Sequence, residues 1–210
     1  MNPPKAVVFD FGQVLSYPEK QSRIESMATI CGLSVEAFGT AYRKYRPAYD
    51  RGTLKGVDYW RLVTADMPVE LRSSDVESLI DLDTVNSIEL NPSILRWAKV
   101  LLYNRLRIAI LSNMTADDME RMRRDGILAR LGMFEVKVFS SSVGLVKPER
   151  EIYEYCLTRL SLEPEETLFI DDKKENIDAA CRLGMNAFLF QNTHSDLYTL
   201  SRQYNLPYGL

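Results

Sequence analysis

The stretch AVVFDFGQVL, residues 6–15, decides the expected fold, because it joins a short apolar run to an acidic residue and a glycine. Its first part, Ala6–Phe9, is continuously apolar, which is typical of a strand buried on both faces of a parallel sheet. Further runs of this kind follow at Ile108–Leu111, Val136–Phe139, Thr167–Ile170 and Ala187–Phe190. Helical patterns at Thr115–Leu131, Pro148–Leu160 and Glu175–Leu183 separate these later runs, so the sequence predicts βαβ units whose helices cover the sheet.

A long helical interval separates the first predicted strand from the second. Its predicted helices are Lys20–Cys31, Val35–Tyr45, Val57–Ala65 and Ser73–Leu82, with breaks at Gly32, Gly52, Gly56 and Pro68. A further helix at Asn91–Asn104, with Pro92 in its first turn, returns the chain to the sheet. We therefore predict an α/β protein with a Rossmann-like core domain, residues 1–16 and 88–210, in which helices sandwich a parallel sheet. A small α-helical cap domain, residues 17–87, is expected to be inserted after the first strand.

The composition is that of an ordinary soluble globular protein, with 46% hydrophobic and 26% charged residues in a chain of 210. The net charge of −3 argues against binding to nucleic acid or to an anionic membrane. The cysteines Cys31, Cys156 and Cys181 are far apart and are expected to be reduced thiols, and His194 is expected to be a solvated loop residue. A signal-peptide pattern and a spanning segment are both missing, so we expect a cytoplasmic protein, a monomer or alternatively a dimer.

Polar side chains follow four separate predicted strands. They are Asp10, the pair Ser112 and Asn113, Lys147, and the pair Asp171 and Asp172. Ligands of an open parallel α/β sheet bind outside the carboxyl ends of the strands, so these groups are expected to meet in one crevice. Each residue alone is more simply explained as a turn or helix cap. The occurrence of all of them, one group per strand end, favours a functional site.

The chemical mixture at these positions indicates phosphoryl transfer. Three carboxylates and one lysine leave excess negative charge, which a hard cation such as Mg²⁺ would offset. A carboxylate can also act as a covalent nucleophile toward phosphorus. A serine hydroxyl, backbone N–H groups and Lys147 are suited to hold the non-bridging phosphate oxygens.

Four stretches resemble the ordered motifs of the haloacid dehalogenase-like hydrolases. They are FDFGQVL (9–15), LSN (111–113), VKPE (146–149) and IDDKKENI (170–177). The resemblance extends over nearly the whole chain and is greatest to the helical-cap subfamily, including its glucose-1-phosphate phosphatase-like and epoxide-hydrolase N-domain-like branches. The segment YDRGTLKGVDYW (49–60) resembles the cap of those branches.

The resemblance implies a magnesium-dependent phosphatase that acts on a small phosphorylated metabolite through an aspartyl-phosphate intermediate. Asp10 would be the nucleophile, and Lys147 would neutralise charge on nucleophile and phosphate. Ser112 and the backbone of Asn113 would bind the phosphoryl group. Gln13, within the first motif, is a further candidate for substrate binding.

The resemblance also implies a set of metal ligands. Asp10 and the backbone carbonyl of Gly12 would coordinate Mg²⁺. Asp172 is the preferred direct ligand from the last motif, with Asp171 binding directly or through water. Asn176 matches a position that often orients the carboxylate, here expected to be that of Asp172.

One departure from the family pattern is Gly12, because many family phosphatases carry at this position a second Asp that acts as general acid and base. Turnover is then slow or limited to good leaving groups, or water or another residue supplies the proton. Glu19, Tyr17 and Gln13 lie nearby in sequence. A third alternative is that the protein binds ligands without catalysis.

A 2-haloacid dehalogenase is the remaining alternative within the same family. Such enzymes also use a carboxylate nucleophile, but they need no metal. Their usual motif has Tyr-Gly-Thr where this chain has Phe11-Gly12-Gln13, and their last motif lacks the paired carboxylates. The pair Asp171 and Asp172 therefore favours metal and phosphate.

Overall fold

The computed structural model describes residues 3–65, 70–193 and 195–209, so Pro68 and His194 lie outside the described residues. Its centre is a parallel sheet of five strands in the order β3-β2-β1-β4-β5. The strands are β1 (Ala6–Phe9), β2 (Arg107–Ser112), β3 (Val136–Phe139), β4 (Thr167–Asp171) and β5 (Asn186–Leu189). The predicted parallel α/β sheet is therefore confirmed, with each strand within about one residue of its expected bounds.

Four short helices follow β1 along the chain. They are α1 (Gln21–Ile30), α2 (Val35–Asp50), α3 (Gly56–Thr64) and α4 (Ser73–Ser87). They enclose an apolar cluster of their own, in which Phe38, Tyr49 and Trp60 are at most 2% exposed. Helix α2 continues beyond the predicted end at Tyr45 and passes through Pro47, because its last turn buries Tyr49 and Asp50. Tertiary packing outweighs the helix-breaking tendency of proline here.

Helices cover both faces of the sheet. They are α5 (Pro92–Tyr103), α6 (Ala116–Arg124), α7 (Ile127–Arg130), α8 (Ser140–Val143), α9 (Arg150–Leu160), α10 (Lys174–Leu183) and α11 (Asp196–Gln203). Val7 and Phe9 of β1 pack in one apolar layer with α5, α6 and α11, whereas Ala6 and Val8 pack in the other with α9 and α10. This alternation explains why all four residues of β1 are fully buried.

The single helix predicted at Thr115–Leu131 is in fact two helices, α6 and α7. Helix α6 begins with a capping box in which Thr115 and Asp118 bond to each other's backbone N–H groups at 3.0 Å. It ends before Gly126, whose φ of +71° is left-handed and is readily adopted by glycine.

Helices α1–α4 lie over the carboxyl edge of the sheet. The segment that leads from β1 to α1 lies beside the segment that returns from α4 to α5. Tyr17 N donates to Glu89 O at 2.7 Å, and Asn91 N donates to Leu15 O at 2.8 Å. Farther along, Tyr49 Oη donates to Asp117 Oδ2 on α6 at 2.6 Å. Among the described helices, none is both long and apolar enough to cross a membrane.

Candidate active site

The site lies where the strand order changes direction. Strand β1 is flanked by β2 on one side and by β4 on the other, so the gap between β1 and β4 is a topological switch point. Asp10 follows β1, and its backbone N–H donates to Ile170 O at 2.8 Å. Ser112 and Asp171 are the last residues of β2 and β4. Neighbouring strand ends therefore bring these three side chains together.

Lys147 joins the two sides of the switch point. Its Nζ lies 2.8 Å from Asp10 Oδ1 and 2.6 Å from Asp171 Oδ2, and its side chain is only 1% exposed. Burial alone would lower the pKa of Lys147, but the charges of Asp10 and Asp171 outweigh that effect and raise it. The ammonium is therefore firmly charged, as neutralisation of an anionic substrate would require.

Asn113 holds Lys147 in place through the backbone. Lys147 N donates to Asn113 Oδ1 at 2.8 Å, and Asn113 Nδ2 donates to Lys147 O at 2.9 Å. These two hydrogen bonds tie the loop that contains Lys147 to the end of β2. The sequence analysis assigned only the backbone of Asn113 to the site and missed this use of its side chain.

Asp171 is the most enclosed carboxylate of the site, with a side chain that is 0% exposed. Asn176 Nδ2 donates to both of its oxygens at 3.0 Å, and Lys173 N donates to Oδ1 at 2.8 Å. The expectation that Asn176 orients Asp172 is therefore wrong. Asn176 lies in the first turn of α10, and that turn points back toward the buried carboxylate rather than toward its neighbour at the cavity.

Asp172 is half-buried and accepts a hydrogen bond from Gln13 Nε2 at 2.9 Å. Desolvation, with the charges of Asp10 and Asp171, raises the pKa of Asp172 to about 7. Desolvation also raises the pKa of Asp10, against the opposing charge of Lys147. One oxygen from each carboxylate lies within 4.8 Å of the others. The ammonium of Lys147 thus offsets only part of the negative charge of the three carboxylates. The remaining negative charge suits a hard cation that prefers oxygen ligands.

Residues Phe11–Leu15 form a wide turn that presents the nucleophile candidate. Phe11 N donates to Asp10 Oδ1 at 2.7 Å, and Gln13 has a left-handed φ of 57°. Gly12 has ordinary dihedral angles, φ −61° and ψ 130°, and an added Cβ would meet nothing within 4 Å. Neither the backbone conformation nor the available space therefore requires glycine at this position.

A cavity of about 320 Å³ separates the strand ends from the helices above them. The sequence-predicted residues Asp10, Gly12, Gln13, Ser112, Asn113, Lys147 and Asp172 all line it, whereas Asp171 lies behind Lys147. Ile24, Met27 and Phe38 provide an apolar wall on the opposite side. The cavity is large enough for a small organic phosphate.

Helix α2 contributes a polar group that the sequence analysis did not identify. Arg46 lines the cavity and pairs with Asp50 at 2.8 Å and with Asp83 of α4 at 3.0 Å. Tyr42 Oη also donates to Asp83, at 2.6 Å. The only signal for this group was an Arg–Asp pair one helical turn apart in an aromatic-rich segment, which is usually a solvated surface pair.

The fold and the site define an α/β protein with a carboxylate cluster, a buried ammonium and a cavity at the switch point. The sequence model of the family described as haloacid dehalogenase-like hydrolase matches residues 4–184. The chain therefore belongs to the haloacid dehalogenase-like hydrolases, and the family resemblance of its four motifs is confirmed.

Two curated relatives show the range of this similarity. Bifunctional epoxide hydrolase 2 of Rattus norvegicus is 32% identical over 118 residues, which are 54% of this chain but 21% of that protein. Phosphorylated carbohydrates phosphatase of Thermotoga maritima is 31% identical over 96 residues, 45% of this chain and 43% of that protein. The chain thus spans well under half the length of the epoxide hydrolase.

Solved structures share the fold at low sequence identity. A haloacid dehalogenase-family enzyme from Bacteroides thetaiotaomicron, in complex with magnesium and inorganic phosphate, has a TM-score of 0.71 and 18% identity, covering 93% of this chain and 99% of that one. An L-2-haloacid dehalogenase has a TM-score of 0.69 and 19% identity, covering 92% and 88%.

Proposed function

We propose that this protein is a Mg²⁺-dependent phosphatase that hydrolyses a small phosphorylated metabolite through an aspartyl-phosphate on Asp10. The observation that carries the proposal is the arrangement around Lys147. One buried ammonium bridges Asp10 and Asp171, while Asp172 lines the cavity and forms no ion pair with the described residues. The phosphatase among the relatives and the magnesium–phosphate complex of a structural neighbour support the same chemistry.

The residues present fit a magnesium ion. Asp10, Asp172 and the backbone carbonyl of Gly12 would hold it, with Asp171 coordinating directly or through water. The raised pKa of Asp172 supports this assignment, because a bound cation would relieve the repulsion from Asp10 and Asp171. When bound, Mg²⁺ would neutralise charge on the phosphoryl oxygens.

Two contacts to its Oδ1 atom orient Asp10 for attack. Phe11 N donates to Oδ1 at 2.7 Å, and Lys147 Nζ lies 2.8 Å from the same atom. We therefore assign the attack on phosphorus to Oδ2. Burial of the carboxylate keeps water from solvating it, which strengthens its interaction with Lys147.

The phosphoryl group would be bound by donors that the strand ends supply. Ser112, at the end of β2, is 2% exposed, lines the cavity and forms a side-chain hydrogen bond with Asp10. The hydroxyl, the backbone of Asn113 and Lys147 would hold the non-bridging oxygens and stabilise their charge in the transition state. Gln13 would assist indirectly, through its bond to Asp172.

We further propose that residues 17–87 form a cap domain that selects the substrate, over a core of residues 1–16 and 88–210. The separate apolar cluster of helices α1–α4 supports this division. Their apolar wall and Arg46 face the phosphate end across the cavity. Because the described cysteines are all free, we keep a reducing compartment such as the cytoplasm as the proposed location.

A substrate screen tests the proposal. Purified protein is incubated with p-nitrophenyl phosphate and a panel of sugar phosphates, with Mg²⁺ or with EDTA. We expect Mg²⁺-dependent phosphate release that the Asp10→Asn variant lacks. Release that does not exceed this control on any compound would contradict the proposal and would favour a ligand-binding protein instead.

Dehalogenation is the second candidate, since an L-2-haloacid dehalogenase shares the fold. The carboxylate pair at the end of β4 argues against it, because a metal-free site gains nothing from a carboxyl whose pKa is raised by its neighbours. Halide release from 2-chloropropanoate in EDTA would reverse this preference.

A further inference from the structure

Gly12 leaves open which group exchanges protons with the leaving group and the attacking water. The question rests on the proposed phosphatase function. Glycine has no side chain to donate a proton, and the space that one would occupy next to Asp10 is open. Three neighbouring residues, Gln13, Tyr17 and Glu19, line the same cavity. The structure distinguishes among them.

Gln13 and Tyr17 are poorly suited to this task. The side-chain amide of Gln13 donates a hydrogen bond to Asp172 at 2.9 Å, and a neutral amide cannot act as a general acid or base near neutral pH. Tyr17 offers the cavity a phenol, which is a weaker acid than a carboxyl and is therefore less suited to protonate a departing alkoxide.

We propose that Glu19 is the general acid and base of this enzyme. Glu19 lies on the segment that connects β1 to α1, in the cavity that also contains Asp10 and Gly12. Its carboxyl lies within electrostatic range of Arg46 on α2 and of Lys173 just before α10. It is therefore placed between the helices above the cavity and the carboxyl edge of the sheet.

This position matches the expected path of the leaving group. In phosphoryl transfer the attacking and leaving oxygens are roughly in line with phosphorus. Because Asp10 would attack from the strand ends, the leaving oxygen would point toward α1 and α2, whose residues line the cavity together with Glu19. Among the described side chains, none donates a hydrogen bond to the Glu19 carboxyl, which leaves it available to a substrate oxygen.

Desolvation of the carboxyl favours the protonated form of Glu19, although the residue as a whole is exposed. Desolvation raises the pKa of Glu19, with Arg46 as the largest opposing charge. Asp83 and Asp50 raise it further, whereas Lys173 lowers it. A raised carboxyl pKa is the usual adjustment of a carboxylic general acid.

The proton balance closes over the two steps. In the first, Asp10 Oδ2 bonds to phosphorus, the bond from phosphorus to the ester oxygen breaks, and that oxygen takes the proton of Glu19. In the second, the Glu19 carboxylate takes a proton from water, whose oxygen bonds to phosphorus as the Asp10 bond breaks. Alcohol and inorganic phosphate leave, and both carboxyl groups return to their starting states.

The test compares two esters of similar size, p-nitrophenyl phosphate and p-nitrobenzyl phosphate. The phenolate leaves without a proton, whereas the benzyl alkoxide needs one, and kcat/KM reports the steps up to leaving-group departure. We expect Glu19→Gln to lower kcat/KM for the benzyl ester by about 100-fold or more and for the phenyl ester by less than about fivefold. Glu77→Gln, an exposed carboxylate on α4, is the matched control and changes neither value.

A rescue separates proton transfer from a structural role. Adding Gly12→Asp to Glu19→Gln should restore most of the benzyl-ester activity, since the new carboxyl has open space beside Asp10. Gly12→Asn, which has the same shape without the proton, should not. Equal losses on both esters, or a benzyl activity that Glu19→Gln leaves intact, would overturn the role of Glu19. If the wild type hydrolyses neither these esters nor any compound of the screening panel, the proposed function itself fails, and the Glu19 assignment fails with it.

Discussion

At the scale of single residues, the site depends on Lys147 and the two carboxylates that enclose it. An ammonium with a side chain 1% exposed is tolerated only because Asp10 and Asp171 lie within hydrogen-bond distance of it. Two hydrogen bonds from the Asn113 side chain to the backbone of Lys147 fix the position from which the ammonium extends. The same contacts that keep Lys147 buried therefore aim it at the proposed position of the substrate phosphate.

Replacing Lys147 tests this role. We expect Lys147→Ala to lower kcat for p-nitrophenyl phosphate by about 10²–10³-fold, because transition-state charge loses a preorganised partner. Lys174→Ala is the control, since Lys174 is an exposed lysine of α10 that pairs with the neighbouring Asp178. Steady-state kinetics of both variants give the comparison, and near-ultraviolet circular dichroism verifies their folding. An unchanged kcat in Lys147→Ala would disprove the role of Lys147.

The sequence predicted the residues of the site better than their connections. Asp10, Ser112, Lys147 and Asp171 were predicted to meet because each follows a strand, and parallel strands end at one edge. The bonds from Asn113 and Asn176 were not predicted correctly. They depend on how a loop and a first helical turn fold back, which involves distances of a few ångströms that spacing along the chain does not determine.

At the scale of elements, α2 joins the cavity to the helices above it. Arg46 pairs with Asp50 on its own helix and with Asp83 on α4, with a side chain only 20% exposed. Asp50 is tied to the core as well, since Ser140 Oγ donates to its backbone oxygen at 2.5 Å. One arginine thus stabilises the packing of α2 on α4 directly above the site.

We expect Arg46→Ala to lower the free energy of unfolding by about 3 kcal/mol, because Asp50 and Asp83 would remain buried without their partner. Arg43→Ala is a matched control on the same helix. Arg43 is exposed and has no ion pair among the described residues, so its loss should cost less than about 0.5 kcal/mol. Urea unfolding of the two variants measures the difference, and equal values would show that the buried network contributes nothing.

Helix boundaries show where sequence patterns fall short. The strands of the sheet were predicted within a residue because buried parallel strands are short apolar runs. Helix α2 extends past its predicted end because burial of Tyr49 compensates for Pro47. Helix α6 ends before Gly126, although the predicted helical pattern continues to Leu131. Both outcomes depend on tertiary packing or on a single left-handed residue, neither of which periodicity reveals.

At the scale of the whole molecule, the fold concentrates negative charge at the carboxyl edge of the sheet, beside the cavity. Three carboxylates converge from β1 and β4, and Lys147 neutralises only part of their charge. Such a cluster destabilises the folded state until a cation binds. Ligand binding and folding stability are therefore linked.

We expect Mg²⁺ to raise the melting temperature, with a stabilisation of about 2.7 kcal/mol at a concentration of about 100 times Kd. Asp172→Asn should abolish this response and should itself make the metal-free protein more stable, since a repelled carboxylate is removed. Asp178→Asn, an exposed acid on α10, should keep the response. Thermal unfolding with Mg²⁺ or EDTA gives the comparison, and a wild type indifferent to Mg²⁺ would contradict the metal assignment.

The central claim is that Asp10 accepts the phosphoryl group of the substrate. Its most direct test is acid quenching of the protein during turnover of p-nitrophenyl phosphate with Mg²⁺, followed by mass spectrometry of the peptide that contains Asp10. The account predicts one phosphoryl group on Asp10, absent when EDTA replaces Mg²⁺. An Asp10→Asn protein that hydrolyses the ester at the wild-type rate would contradict it.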